Sequence, residues 1–168
     1  MTPSLKATLT TLALAACVAA APSRMASRQV LSGHGTLSAP TSGLVVAQGS
    51  SFPFAFQDSN WCEDGYSTIT VWLTENAPTA SSLNGTTGQL LDGQFIHYFG
   101  QYLIPNFGLP ALSGTTPPPS TLVLPTLSSD VTTGDEIYLA VVETGTNCPP
   151  GLHVPPQYEI TSLPVVIG

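Results

Sequence analysis

Alternation constrains this chain more than any other feature. In "SSFPFAFQ" (residues 50–57) the aromatic residues Phe52, Phe54 and Phe56 fall on every second position. In "YSTITVWLTE" (66–75) Ile69, Val71 and Leu73 alternate with Thr70, Trp72 and Thr74. A period of two puts one set of side chains on one face of an extended strand and the other set on the opposite face. Further runs of this kind are "GTLSAP", "LVVAQG", "STLVLPTL", "DEIYLAVVETG" and "QYEITSLPVVIG", with glycine- and proline-rich turns between them. "QLLDGQFIHYFGQYL" is long enough for two short strands or one strand bent at Gly100. Pro53 sits on the face opposite the phenylalanines, as an edge strand allows. The pattern predicts an all-β, immunoglobulin-like or fibronectin-like sandwich of seven to eight strands.

The amino-terminal region reads differently. Met1 to Ala20 carries one cation, Lys6, then the apolar stretch "ATLTTLALAACVAAA" and small residues suited to signal peptidase. This predicts a secretory signal, with cleavage after Ala20 and an extracellular product. Residues 21–34 form a short polar lead-in, and residues 35–168 a single domain, expected to be a monomer. His34 raises a separate question, because a histidine at a free amino terminus can clamp copper with its own α-amine. Reaching it needs a second cut after Gly33, and "APSRMASRQVLSG" has neither a dibasic pair nor a signal-peptidase site there. The mature chain is expected to begin near Ala21, with no metal or cofactor.

Charge narrows the partners. From Gly35 to Gly168 there is no lysine or arginine, against ten carboxylates. Nucleic-acid binding draws on cations that displace counterions from phosphates, so such a domain repels nucleic acid and anionic lipid surfaces. No later apolar run is long enough for a membrane span, so membrane insertion is not expected. Neutral sugars, basic protein surfaces and metal cations remain open.

Cys17 leaves with the signal, and Cys62 and Cys148 remain in an oxidising compartment, where they are expected to pair. In a sandwich of this kind their loops emerge at one end. The bond closes a loop of roughly 85 residues, and that constraint contributes up to ~4 kcal/mol. One loop, "DSNWCEDGY", holds Trp61, Glu63, Asp64 and Tyr66; the other, "TGTNCPPGLHVPP", holds Asn147 and His153. Trp61, Tyr66 and His153 are the candidate binding residues, since loops gathered at one end of a sandwich often recognise ligands. The competing reading is that Trp61 simply covers the disulfide. Asn84-Gly85-Thr86 is a glycosylation sequon in a polar turn.

Catalytic parts are scarce. No Gly-x-Ser-x-Gly elbow occurs, and both mature cysteines are taken up by pairing. His34, His97 and His153 lie far apart without zinc spacing. "DSNWCEDG" departs from a calcium loop where a cysteine and a glutamate replace a ligand and a glycine. Ten acids always offer pairs for glycosidase chemistry, and their sequence surroundings single out none. A non-enzymatic binding protein is expected.

The opening "GTLSAPTSGLVVAQGSSFPFAF", the run "GQLLDGQFIHYFG", the extended "TLVLP" and the glycine-led "GDEIYLAVVE" together resemble the necrosis-inducing secreted protein family of small fungal effectors. The cysteine pair is a departure from that family. The resemblance implies an apoplastic effector that damps plant pattern-triggered immunity by binding receptor-associated kinases. Two alternatives stand beside it. One is a cell-wall polysaccharide-binding module using aromatics such as Trp61, Tyr66, Trp72 or Tyr98. The other is a copper-dependent oxidative enzyme, if His34 is the mature terminus.

Overall fold

The computed structural model describes residues 30–31, 35–146, 148 and 154–168. The expected signal segment, most of the expected lead-in, His34, Asn147 and His153 lie outside the described residues. The fold is all-β, with strands β1 (Val30–Leu31), β2 (Thr36–Ala39), β3 (Leu44–Val46), β4 (Ser51–Pro53) and β5 (Ala55–Gln57) in the first part of the chain. They are followed by β6 (Tyr66–Thr74), β7 (His97–Pro105), β8 (Thr121–Val123), β9 (Glu136–Gly145) and β10 (Gln157–Ile167). The main sheet runs β1-β10-β9-β6-β7, and β3 also pairs with β10. Two small ladders, β2 with β5 and β4 with β8, stand beside it, and Leu83 and Leu90 form an isolated bridge.

The count exceeds seven to eight because two expected strands change partners along their length, and because Val30–Leu31, in the expected lead-in, adds β1 to the edge of β10. "SSFPFAFQ" leaves β8 for β2 at Phe54, whose N–H turns to the carbonyl of Ser120. The opening run divides between β2, paired with β5, and β3, paired with β10. The bend foreseen at Gly100 is a register shift. Val71 faces Gly100 but Trp72 faces Tyr98, so β7 carries one extra residue there. Gly100 takes φ +144°, a conformation that favours glycine.

One face of the main sheet packs against the small ladders. Ile69, Val71 and Leu73 of β6, Ile137, Leu139 and Val141 of β9, and Val165 and Ile167 of β10 meet Phe52, Phe54 and Leu122 there. The other face of β6 is not solvated, although Thr70 and Thr74 give it a polar pattern. Trp72 is buried there with Leu83, Leu90, Ala140, Val142 and Tyr158, because the irregular segment 75–95 lies across it. Gly88 makes this close approach feasible. Its φ is +68°, and a Cβ added there would lie 2.3 Å from the Tyr158 ring.

Candidate functional site

The end of the sheet where β6 begins and β9 stops gathers the chemistry. Cys62 and Cys148 are joined there, with Cα atoms 5.3 Å apart, as the cysteine count predicted. The connection from β5 to β6 starts with an Asp58 turn, in which the Asn60 N–H donates to Asp58 Oδ1 at 2.5 Å. It continues through Asn60 and Glu63, both at positive φ. Trp61 is half-buried, and its ring lies against Gly145. A Cβ at Gly145 would stand 2.5 Å from the indole and 3.1 Å from Cys148 Sγ. Trp61 therefore covers the disulfide.

Tyr66 is also a support. Its hydroxyl donates to the Pro110 carbonyl at 3.0 Å and anchors the loop that follows β7. Asn106 fixes the start of that loop, its side-chain amide donating to Ser67 Oγ at 2.9 Å and to the Asp64 carbonyl at 3.0 Å. What this framework presents to solvent was not singled out from sequence. Phe107 is 73% exposed, and Leu109 and Leu112 are 40% and 45% exposed. Phe107 also holds φ +53°, uncommon for a bulky side chain. The only sequence signal for this patch is apolar residues inside a glycine- and proline-bearing loop, "NFGLPAL".

Beneath these loops lies a carboxyl cluster. Glu143 and Glu159 face each other across β9 and β10 and are 2% and 1% exposed. Glu159 accepts a bond from the Gly35 N–H and another, at 3.2 Å, from Thr161. Glu143 is in hydrogen-bond contact with Asp58, and its carboxyl is pushed up to about 9. Burial is the main cause, reinforced by the bond to Asp58 and the charges of Asp58 and Glu159 and opposed by a bond from Trp61. Burial also pushes Asp58 upward, but bonds from Glu143, Ser67, the Asn60 backbone and Asn106 outweigh it, leaving Asp58 below the usual carboxylate range. Asp64 is raised by burial and by the Asp58 charge.

Cys62, Asp64 and Cys148 bring ligand-type atoms close together. Both sulfurs are committed to the disulfide, so no thiolate remains to hold a metal. At the opposite end of the sheet, Glu75, Phe95, His97 and the segment 125–131 line a cavity of about 300 Å³. Trp72 is no exposed platform: its indole N–H donates to Thr70 at 2.8 Å, and Tyr98 stacks over it at 4.3 Å. The sequon residue Asn84 is exposed, its Oδ1 accepting from the Thr86 N–H at 2.9 Å. No helix among the described residues is long and apolar enough to cross a membrane. Compared with known proteins, the chain matches no family model, no curated protein and no solved structure.

Proposed function

We propose that this chain is a small secreted, non-enzymatic binding protein that docks a basic protein surface through the loop end of the sheet. One observation carries the reading. Phe107, Leu109 and Leu112 stand exposed within six positions, beside the acidic loop of Glu63 and Asp64, in a domain without lysine or arginine. An apolar centre with a charged rim is the composition of an interface, where the centre gives affinity and the rim gives steering. The resemblance to small fungal effectors extends the reading to suppression of pattern-triggered immunity, with a host receptor-associated kinase as partner. Tyr66 holds this surface in place through its bond to the Pro110 carbonyl, and Trp61 packs over the disulfide at the same end of the sheet.

Purified receptor-associated kinases, titrated with the protein at low and high salt, test the proposal. Binding is expected to weaken with salt and to disappear in the double variant Phe107→Ser, Leu109→Ser. Full affinity in that variant, or no binding to any kinase tested, overturns the docking surface. Turnover of a polysaccharide or peptide by the purified protein overturns the non-enzymatic reading, and sedimentation with insoluble glucan or chitin favours the cell-wall module.

A further inference from the structure

The paired carboxyls under the loop end have a consequence that does not depend on the partner. Asp58 and Glu143 come from different parts of the fold, a loop and the end of β9; Glu143 is 2% exposed, and the two carboxyls lie within hydrogen-bond reach of each other. Two ionised carboxylates have no hydrogen to place between them, so this contact needs one proton. Each group also keeps a buried oxygen, Asp58 Oδ2 and Glu143 Oε2, that no donor of the described residues reaches. Asp58 Oδ1 accepts from the Asn60 N–H, and the groups that surround the pair, Ser67, Asn106 and Trp61, all belong to the loop framework.

The titratable surroundings act in one direction. From β10, Glu159 faces Glu143. The 58–65 connection brings Glu63 and Asp64 beside Asp58, and Cys62 and Cys148 are bonded and do not titrate. β6 contributes Ser67 and Ile69, and the loop after β7 contributes Asn106, none of which ionises. No lysine or arginine exists from Gly35 onward. His97, the one histidine among the described residues, pairs with Leu73 at the far end of β6. A second negative charge on the pair would therefore meet no described cation.

We propose that one proton shared between Asp58 and Glu143 latches residues 58–64 onto the end of β9, and that its loss as pH rises frees this loop together with the segment 106–112. The second segment follows because Asn106 is tied both to Ser67 and to the Asp64 carbonyl. The chain is thus built to be most rigid at mildly acidic pH. The sign follows from the two end states. Glu143 keeps its proton in the folded chain up to about 9, whereas its ordinary value is 4.5. Folding therefore takes up a proton between those values, and stability falls as pH rises through that window. Below it, protonation of Asp58, which is held under its ordinary value of 3.8, removes the acceptor and lowers stability again.

Equilibrium unfolding of the disulfide-intact protein from pH 4.5 to 9 tests the latch. The unfolding constant of the wild type is expected to rise by up to about tenfold per pH unit. Glu143→Gln, whose amide donates to Asp58 without a titrating proton, is expected to flatten that dependence. Over the same range, the protection of amides at 58–64 and 106–112, taken relative to their intrinsic exchange rate at each pH, should fall in the wild type and hold constant in Glu143→Gln. An unchanged slope in Glu143→Gln overturns the proposal. If that variant does not fold, infrared spectroscopy of the wild type decides. A protonated-carboxyl band at neutral pH that vanishes on alkaline titration supports the latch, and no such band overturns it. None of these readouts involves a partner, so the latch and the docking surface can fail separately.

Discussion

The two halves of the main sheet's inner face both hold buried side chains, and they are held by different means. Along β9 the inward side chains run Ile137, Leu139, Val141 and then Glu143, and the first and last are both 2% exposed. Along β6 the same face reads Leu73, Val71, Ile69 and then Ser67, and along β10 it reads Ile167, Val165, Leu163, Thr161 and then Glu159. In one half, hydrophobic transfer and close packing hold the layers together and are indifferent to pH. In the other, buried carboxyls stay only because bonds and a proton satisfy them. The lesson is that position in the ladder fixes burial, while the side chain decides which solution conditions the burial tolerates.

The largest break in this comparison comes from the apolar half. Leu139 is fully buried among the aliphatics of β6 and β10. Leu139→Ala should cost about 2–5 kcal/mol by lost transfer energy and a residual cavity. Denaturant titrations at pH 5 and pH 8 check it: the loss should be the same at both. A loss that depends strongly on pH would show that the two halves are not separable.

A smaller effect is expected from the disulfide, which closes the polar half. Replacing both Cys62 and Cys148 by serine should lower stability by roughly 2–4 kcal/mol, since the unfolded chain regains the freedom of a long loop. Thermal unfolding with and without the pair measures it. Two free thiols, titrated in the denatured native protein, would show that the bond is absent.

Gly145→Ala is expected to cost less again, about 1–3 kcal/mol, because the new methyl meets the Trp61 ring. The indole must move off the disulfide, so its fluorescence should shift together with the melting temperature. A silent Gly145→Ala would mean that Trp61 does not pack there, and the polar half would lose its cover.

How much of this was legible in sequence follows the same division. Period-two alternation put Phe52, Phe54, Ile69, Val71 and Leu73 in the core because each lies on a strand with one strongly apolar face. The burial of Trp72 and Thr74 was not legible, since the segment that covers them, 75–95, has no regular period. Glu143 and Glu159 were not singled out from sequence, although each falls on the inward parity of a strand, a position that a carboxyl occupies only when satisfied. Asp58 left none, because a loop residue has no parity and its meeting with Glu143 depends on tertiary placement. The disulfide was legible from the two cysteines outside the expected signal and from their loops falling at one end of the expected sandwich. Phe107, Leu109 and Leu112 were passed over because exposure in a loop has no pattern to read.

The smallest expected effect separates folding from binding in the polar half. Phe107 is 73% exposed and sits at φ +53°, so its side chain gains little from packing while its backbone occupies a region that disfavours it. Phe107→Gly removes that conflict but adds freedom to the unfolded chain, and the two effects oppose each other. Stability should therefore stay within about 1 kcal/mol of the wild type, as measured by denaturant midpoint at pH 5. Partner affinity should still fall, because an exposed aromatic at the centre of an acidic rim is where an interface concentrates its energy. A large loss of stability would show that Phe107 supports the loop as Tyr66 does. Unchanged affinity with unchanged stability would move the docking surface to Leu109 and Leu112 alone.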